Sequence, residues 1–289
     1  MILGIDWGSS SVRAMRIGEA GEVLETRRAD DGVFVRAGDF EARLRAHLAD
    51  WLEQSPSAPI LLCGMIGSDR GWVHAPYVAA PCGPSDLAER LVRAPLVRPA
   101  FVVPGVSHVS GETAEVMRGE EALIVGLLER ERLTRGTICL PGTHSKWVDI
   151  EDARIARFRT YMTGELRATL LSRGALATDV SQRRSSESFI AGLDASRNGV
   201  ALTSSLFQAR ARRLLGRLRE EHVASFVSGL LIGDEIAKEL KSQPLYVVAR
   251  NGIADDYHAA LGGIPHRRMD PEPLAALGLH VLARRAGAA

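Results

Sequence analysis

Two short stretches of the chain combine residue types that handle phosphate. Asp6 precedes Gly8-Ser9-Ser10-Ser11 between two strand-like runs near the start, and Gly142-Thr143-His144-Ser145 separates a second pair of such runs in the middle. A hairpin turn of glycine and hydroxyl residues can aim backbone N–H groups and hydroxyls at phosphate oxygens, because glycine lets a ligand come close to the backbone. Two such hairpins facing each other would hold one polyphosphate from both sides. Asp6, at the strand end ahead of its turn, is placed to hold hydrated Mg²⁺ against the phosphates through water. Lys146 lies two residues beyond His144. On a strand that spacing puts both on one side, where the ammonium would meet a phosphate and the imidazole would donate a hydrogen bond.

Phosphoryl transfer also needs a carboxylate to accept the proton of the attacking hydroxyl. Glu120 and Glu121 open a predicted helix directly after Gly119, a place that favours carboxylates on electrostatic grounds alone. Either is a candidate base. Asp6 competes with them, although its position beside the turn favours metal-bound water.

The elements that must carry these residues are readable from periodicity and turn chemistry. Strands at Ile2 to Asp6, Val12 to Ile17 and Val23 to Arg28 form a predicted antiparallel meander. Phe40, Leu44, His47, Leu48, Trp51 and Leu52 recur at helical spacing ahead of Pro56. A buried strand at Ile60 to Cys63 follows, then a helix capped by Ser85 or Asp86 and carrying Leu87, Leu91 and Val92, and a strand at Ala100 to Val103. The second half opens as the first does, with strands at Thr137 to Leu140, Ser145 to Ile150 and Arg154 to Phe158. Laying the first glycine turn over the second needs a single gap, so the chain reads as a duplication. Further on come a helix capped by Thr203 and running through Leu206, Phe207, Leu214 and Leu215, a helix from Val223 to Leu240, a strand from Leu245 to Ala249, and a closing helix from Pro273 to Arg285. Gly229 and Gly233 clear one stripe of the Val223 helix for a ligand or for another backbone.

Length and composition bound the answer. A chain of 289 residues, 46% hydrophobic and 25% charged, predicts two lobes of roughly 120 to 150 residues with ordinary cores. Lys+Arg 36 against Asp+Glu 35 gives a net charge of +1, which argues against nucleic acid and anionic lipid as partners. The start runs straight into a strand, so no signal peptide is expected, and no apolar window approaches the roughly 18 residues of a membrane helix. Cys63, Cys82 and Cys139 lack metal-ligand spacing and read as reduced thiols in a cytoplasmic protein. The run Arg210, Arg212, Arg213, Arg217 and Arg219 reads as a solvated helix face or a dimer edge, and a homodimer is compatible with the sequence.

Gly4-Ile5-Asp6-Trp7-Gly8-Ser9-Ser10-Ser11-Val12-Arg13-Ala14 resembles the first phosphate motif of the superfamily of sugar kinases, actin and the heat-shock ATPase chaperones. Gly64-Met65-Ile66-Gly67-Ser68, Val116 to Glu121, Pro141 to Val148, and Phe158 to Leu166 resemble, in order, the 2-dehydro-3-deoxygalactonokinase family, and Ser228 to Gly233 and Ala249 to Leu261 extend the similarity. The resemblance implies an α/β fold of two ribonuclease H-like (actin-like ATPase) domains with a central cleft. The first lobe would take 1–118, completed by the C-terminal helix 272–289, and the second 119–271. It implies ATP and Mg²⁺ as cofactors and transfer to the 6-hydroxyl of 2-dehydro-3-deoxy-D-galactonate in galactonate catabolism. Carried over, Gly8 to Ser11 belong to the first phosphate site and Gly142, Thr143, His144 and Lys146 to the second. Adenosine would lie near Gly229, Gly233, Arg250 and Asn251, where Arg250-Asn251-Gly252 replaces a smaller glycine-rich turn. The acid's carboxylate would meet Arg159, beside Thr163 and Gly164, because a bidentate arginine suits it. Gly64, Met65, Ser68 and Trp72 form the other expected wall, although Met65 and Trp72 can equally be core. Two other readings stand beside the kinase: a phosphohydrolase of the same fold that activates water with Glu120 or Glu121, and a noncatalytic nucleotide-dependent interaction module.

Overall fold

A computed structural model describes residues 1–36, 38–177, 179–239 and 243–288. The chain divides into two compact units. Unit 1 comprises Met1–Gly136, Val148–Phe158 and Asp270–Ala289; unit 2 comprises Thr137–Trp147 and Arg159–Met269.

In chain order the first half contains β1 (Ile2–Trp7), β2 (Val12–Ile17), β3 (Val23–Ala29), α1 (Phe40–Gln54), β4 (Ile60–Cys63), β5 (Val78–Ala79), α2 (Pro84–Ala88), β6 (Val92–Arg93), β7 (Ala100–Val102), β8 (Val106–Ser110), β9 (Thr113–Met117) and α3 (Glu120–Glu131). A six-stranded sheet has the order β3-β2-β1-β4-β7-β6. Its centre is parallel, β1 against β4 and β4 against β7, and its flank β1-β2-β3 is the expected antiparallel meander. The central strands β1 and β4 are apolar on both faces and almost wholly buried, whereas edge strand β3 carries Glu25, Arg27 and Arg28. Phe40, Leu44, Leu48 and Trp51 form the buried stripe of α1 and join Leu3, Ile5, Trp7, Ile60 and Leu62 in the core of this unit.

The second half contains β10 (Gly136–Leu140), β11 (Ser145–Glu151), β12 (Arg154–Tyr161), α4 (Thr163–Ser172), α5 (Ser186–Ser196), α6 (Leu202–Leu214), α7 (Val223–Lys238), β13 (Leu245–Val248), α8 (Ile253–Leu261), β14 (Arg267–Met269) and α9 (Pro271–Arg285). Its sheet runs β12-β11-β10-β13-β14, with β10, β13 and β14 parallel. Strand for strand this is the order β3-β2-β1-β4-β7 of the first sheet, so the duplication read from the two turns extends to topology.

Several local expectations change. The helix expected to reach Val92 ends at Ala88: Pro84 opens it, Asp86 accepts the Gly83 amide, and Val92 pairs with Val102 in β6 instead. Thr203 lies inside α6, whose N-cap is Ala201, and Phe207, Leu214 and Leu215 face solvent. Helix α7 is described to Lys238, and Leu240 lies outside the described residues. The hairpin β8-β9 and helix α5 escape the sequence pattern. In the hairpin, Val109 and Val116 point outward, so no buried apolar alternation marks it. Among the described residues no helix is long and apolar enough to cross a membrane, and the three cysteines are free and buried.

Helix α3 packs on α9 within unit 1, so the contact boundary falls after Gly136, not after residue 118 as expected from the sequence. A Cβ added to Gly278 of α9 would overlap the Ala122 carbonyl, and one added to Gly126 of α3 would overlap the Leu274 carbonyl. The two backbones touch where each helix presents a glycine. Gly278→Ala should force the helices apart and cost about 1–3 kcal/mol. Urea titration reads this directly, and a midpoint shift within error would show that the crossing adapts without loss.

Candidate active site

Both glycine turns occupy the same topological place, the bend between the first and second strands of a sheet. In unit 1 the turn is fastened from behind. The carbonyls of Gly8 and Ser9 accept the amides of Val33 and Phe34 at 2.9 and 3.0 Å, while Ser9, Ser10 and Ser11 are exposed. The segment that supplies those amides is held by Arg43 of α1, only 2% exposed. Its guanidinium bonds the Asp31 carboxylate and the carbonyls of Asp31, Gly32 and Arg36. Arg43, then His47, holds the Asp31 carboxyl below its ordinary range against the opposing effect of burial.

Asp6 lies at the carboxyl end of β1, in register with Arg13 on β2 and with Cys63 on β4. Arg13 Nη2 donates to Asp6 Oδ2 at 2.5 Å, a pairing that the hairpin register alone foretells once the turn length is known. At the end of β4 the chain turns through Gly64, φ 88°, and at the head of α3 through Gly119, φ 109°. The two glycines abut: a Cβ on Gly119 would sit 3.2 Å from Gly64 Cα, and one on Gly64 would sit 2.8 Å from the Trp7 carbonyl and 3.3 Å from Asp6 Oδ1. Neither position accepts a side chain, in conformation or in space. That close approach brings the start of α3, with Glu120 and Glu121, beside the ends of β1 and β4. Burial, then the charges of Asp6 and Glu121, pushes the Cys63 thiol up.

The two glutamates differ. Glu120 is partly exposed and its Oε2 accepts the Arg118 amide at 3.0 Å. Glu121 is fully buried; its Oε2 accepts the Gly119 amide at 2.6 Å and its Oε1 has no hydrogen-bond partner. Burial, then the neighbouring Glu120 charge, lifts the Glu121 carboxyl from its ordinary 4.5 to about 8.

In the expected acceptor wall, Gly64 serves the close approach described above. Met65 and Trp72 pack against the core of unit 1, and Ser68 Oγ folds back to the Met65 carbonyl at 2.7 Å. Arg118, which composition did not single out, borders this segment. Its Nη2 donates to the Ala75 carbonyl at 2.7 Å and its guanidinium lies 4.4 Å over the Tyr77 ring, while its Nε and Nη1 are buried without an acceptor.

In unit 2, Gly142, Thr143 and His144 are exposed and rest on the start of α4. Gly164 lets the helix backbone touch the Gly142 carbonyl, the Glu165 amide donates to the Thr143 carbonyl at 3.0 Å, and His144 Nε2 meets Glu165 Oε2 at 2.5 Å. Gly164 is therefore a seat for the turn. Lys146 is 3% exposed, and its Nζ donates to the His144 carbonyl at 3.1 Å.

Arg159 and Thr163 are also engaged inside unit 2. The Arg159 guanidinium makes a two-pronged pair with the buried Glu239 carboxylate, and Thr163 Oγ1 donates to the buried Glu235. A carboxylate of the protein thus holds the arginine expected to meet the substrate. Gly229 faces the backbone of α5, and Gly233 faces side chains of that helix. A Cβ on Gly229 would overlap the Phe189 carbonyl of α5, and one on Gly233 would overlap Ser196 Oγ at the end of that helix. Arg250 and Asn251 form the exposed turn between β13 and α8. Close by, a cavity of about 320 Å³ opens among α4, α5, α7 and α8, lined by Arg167, Arg184, Ser185, Phe189, Ser225 and Asp256. Arg184 donates to Asp256 at 2.6 Å and to the Gly252 carbonyl at 3.4 Å, tying the cavity wall to that turn.

Among the described residues no cluster of three or more His, Cys, Asp or Glu could hold a metal ion. The donor set nevertheless suits a hydrated magnesium, which keeps most of its waters and needs only one or two carboxylates beside phosphate. Asp6, 30% exposed and with only Oδ2 engaged by Arg13, meets that need.

The buried Glu121 gives a pH signature. Between pH 4.5 and about 8 the folded chain keeps a proton that the unfolded chain has lost, so its contribution to stability falls as pH rises through that window. Glu121→Gln should match the wild type near pH 4 and become the more stable protein by pH 8, by on the order of a few kcal/mol. Paired thermal melts across that range check it; a constant difference between the two proteins would mean that the carboxyl titrates normally.

The chain matches the family described as 2-keto-3-deoxy-galactonokinase over residues 6–282. It is 36% identical over 237 residues to the 2-dehydro-3-deoxygalactonokinase of Escherichia coli (strain K12), covering 81% of this chain and 79% of that protein. A crystal structure of a candidate 2-dehydro-3-deoxygalactonokinase from Sinorhizobium meliloti superposes with a TM-score of 0.89 at 34% identity, covering 98% of this chain and 96% of the other. The activator of the 2-hydroxyisocaproyl-CoA dehydratase from Clostridium difficile, with bound ADPNP, shares the fold alone, at a TM-score of 0.53 and 12% identity over 99% of this chain and 96% of its own.

Proposed function

The chain belongs to the 2-keto-3-deoxy-galactonokinase family, and from that membership we propose that it transfers the γ-phosphoryl group of ATP to the 6-hydroxyl of 2-dehydro-3-deoxy-D-galactonate. One observation carries the assignment of the phosphate-binding parts. Gly8 and Gly142 stand in equivalent turns of two sheets with one strand order, and the protein itself does not require glycine at either. A Cβ at Gly8 would make only an ordinary contact with the Ser11 carbonyl at 3.5 Å, and one at Gly142 would meet nothing within 4 Å. Glycine there leaves room for something outside the chain.

The Gly8–Ser11 turn of unit 1 and the Gly142–His144 turn of unit 2 offer N–H groups and hydroxyls to phosphate oxygens, the carbonyls of Gly8, Ser9, Thr143 and His144 being taken up by other segments. The nucleoside occupies the cavity lined by Arg184, Ser185, Phe189 and Asp256, next to the Arg250-Asn251 turn. Asp6, fixed by Arg13, would hold Mg²⁺ through water, and the ion would supply neutralisation of the charge that develops on the phosphates. Glu120 takes the proton. Unlike Glu121, it is partly open to solvent, and Glu121 stays largely protonated at neutral pH. The acceptor oxygen forms its bond to the γ-phosphorus as the bond to the β,γ-bridging oxygen breaks; ADP leaves and the hydroxyl proton passes to Glu120. Arg118 borders the acceptor wall with its Nε and Nη1 buried and without an acceptor, and Arg159 is held by Glu239.

A coupled assay of ADP release with and without the sugar acid tests the reading. Release should depend on the acid; equal release in its absence would favour a phosphohydrolase. Asp6→Asn should lower kcat at least about 100-fold while leaving the melting temperature unchanged, and near-normal turnover would remove Asp6 from the mechanism.

A further inference from the structure

Three side chains from separate elements of unit 2 donate to one buried carboxylate. Glu235 of α7, 1% exposed, accepts from Trp147 Nε1 at 2.7 Å, from Tyr257 OH at 2.8 and 2.9 Å on its two oxygens, and from Thr163 Oγ1. Tyr257 also bonds Ser145 Oγ at 2.9 Å. Ser145 and Trp147 begin β11, the strand leaving the Gly142–His144 turn. Thr163 opens α4, on which the same turn rests through Gly164 and Glu165. The strand leaving the turn and the helix beneath it therefore answer to a single acceptor.

An apolar contact would hold these elements together without fixing their relative rotation. Three directed hydrogen bonds to one carboxylate fix it, and losing the Glu235 acceptor would leave the buried Trp147 N–H without its partner. Glu235 is too deeply covered to touch a nucleotide. We propose that Glu235 is a positioning residue for phosphoryl transfer, setting the Gly142–His144 turn in the place where it receives phosphate through its shared acceptance from Trp147, Thr163 and Tyr257. The inference rests on the reading that this turn binds phosphate.

Calorimetric ATP binding and steady-state kinetics of Glu235→Gln test it, with Thr163→Val and Thr163→Ser as a second pair that disturbs the core less. Glu235→Gln and Thr163→Val should weaken ATP binding and raise its KM about tenfold, the scale of one lost hydrogen bond. The KM for the sugar acid should move less than about twofold, and Thr163→Ser, which keeps the hydroxyl, should restore the wild-type value. Unchanged ATP affinity in Thr163→Val, or equal rises in the two KM values, would overturn the proposal. A wild-type protein that binds ATP yet transfers nothing to the acid would defeat the kinase reading alone, because the affinity comparison still decides the role of Glu235.

Discussion

A loop that receives an anion must first dispose of its own carbonyl oxygens, because each one aimed at the ligand repels it. In both glycine turns of this protein two carbonyls are drawn away by neighbouring groups, by different means. In unit 1 the carbonyls of Gly8 and Ser9 are drawn onto the amides of Val33 and Phe34, and buried Arg43 holds that backing segment through Asp31, Gly32 and Arg36. In unit 2 the Thr143 carbonyl is taken by the amide of Glu165, on a helix that Glu235 ties down through Thr163, and the His144 carbonyl by Lys146 Nζ on β11. One support is a buried cation gathering carbonyls; the other is a buried carboxylate gathering donors. Duplication preserved the strand order and the turn, and the supports are of opposite charge.

The rest of the unit 1 site follows from backbone proximity. Gly64 and Gly119 meet without side chains, so the carboxyl ends of β1 and β4 and the amino end of α3 share one small region. The same closeness that puts Glu120 within reach of that region buries Glu121 and raises its pKa to about 8. Two adjacent glutamates thus acquire different chemistry from a rotation of one residue about a helix.

Much of this was legible in the sequence because it is local. The meanders, the stripe of α1 and the two turns are written in short periodicities and glycine placement, and the order of motifs pointed to the family before any coordinates. Less legible are residues whose partners the sequence does not reveal. Arg159 reads as an open cation until Glu239, eighty residues later, is seen to hold it. Gly229 and Gly233 read as room for a ligand or for another backbone, and α5, itself unforeseen, lies against that stripe. Lys146 reads as a phosphate ligand until its burial turns it onto the His144 carbonyl. In each case the residue type signalled a close or charged contact correctly, and the partner proved to be the protein.

Phosphate binding by these turns requires that glycine at positions 8 and 142 be kept for a ligand and not for the fold. Gly8→Ala and Gly142→Ala, compared by thermal melting and by calorimetric titration with ATP, separate the two. Because a methyl group fits at both positions in the free protein, stability should hold or rise by a few tenths of a kcal/mol, while ATP affinity falls at least about tenfold. Wild-type affinity in both variants would contradict the claim that these turns bind the phosphates.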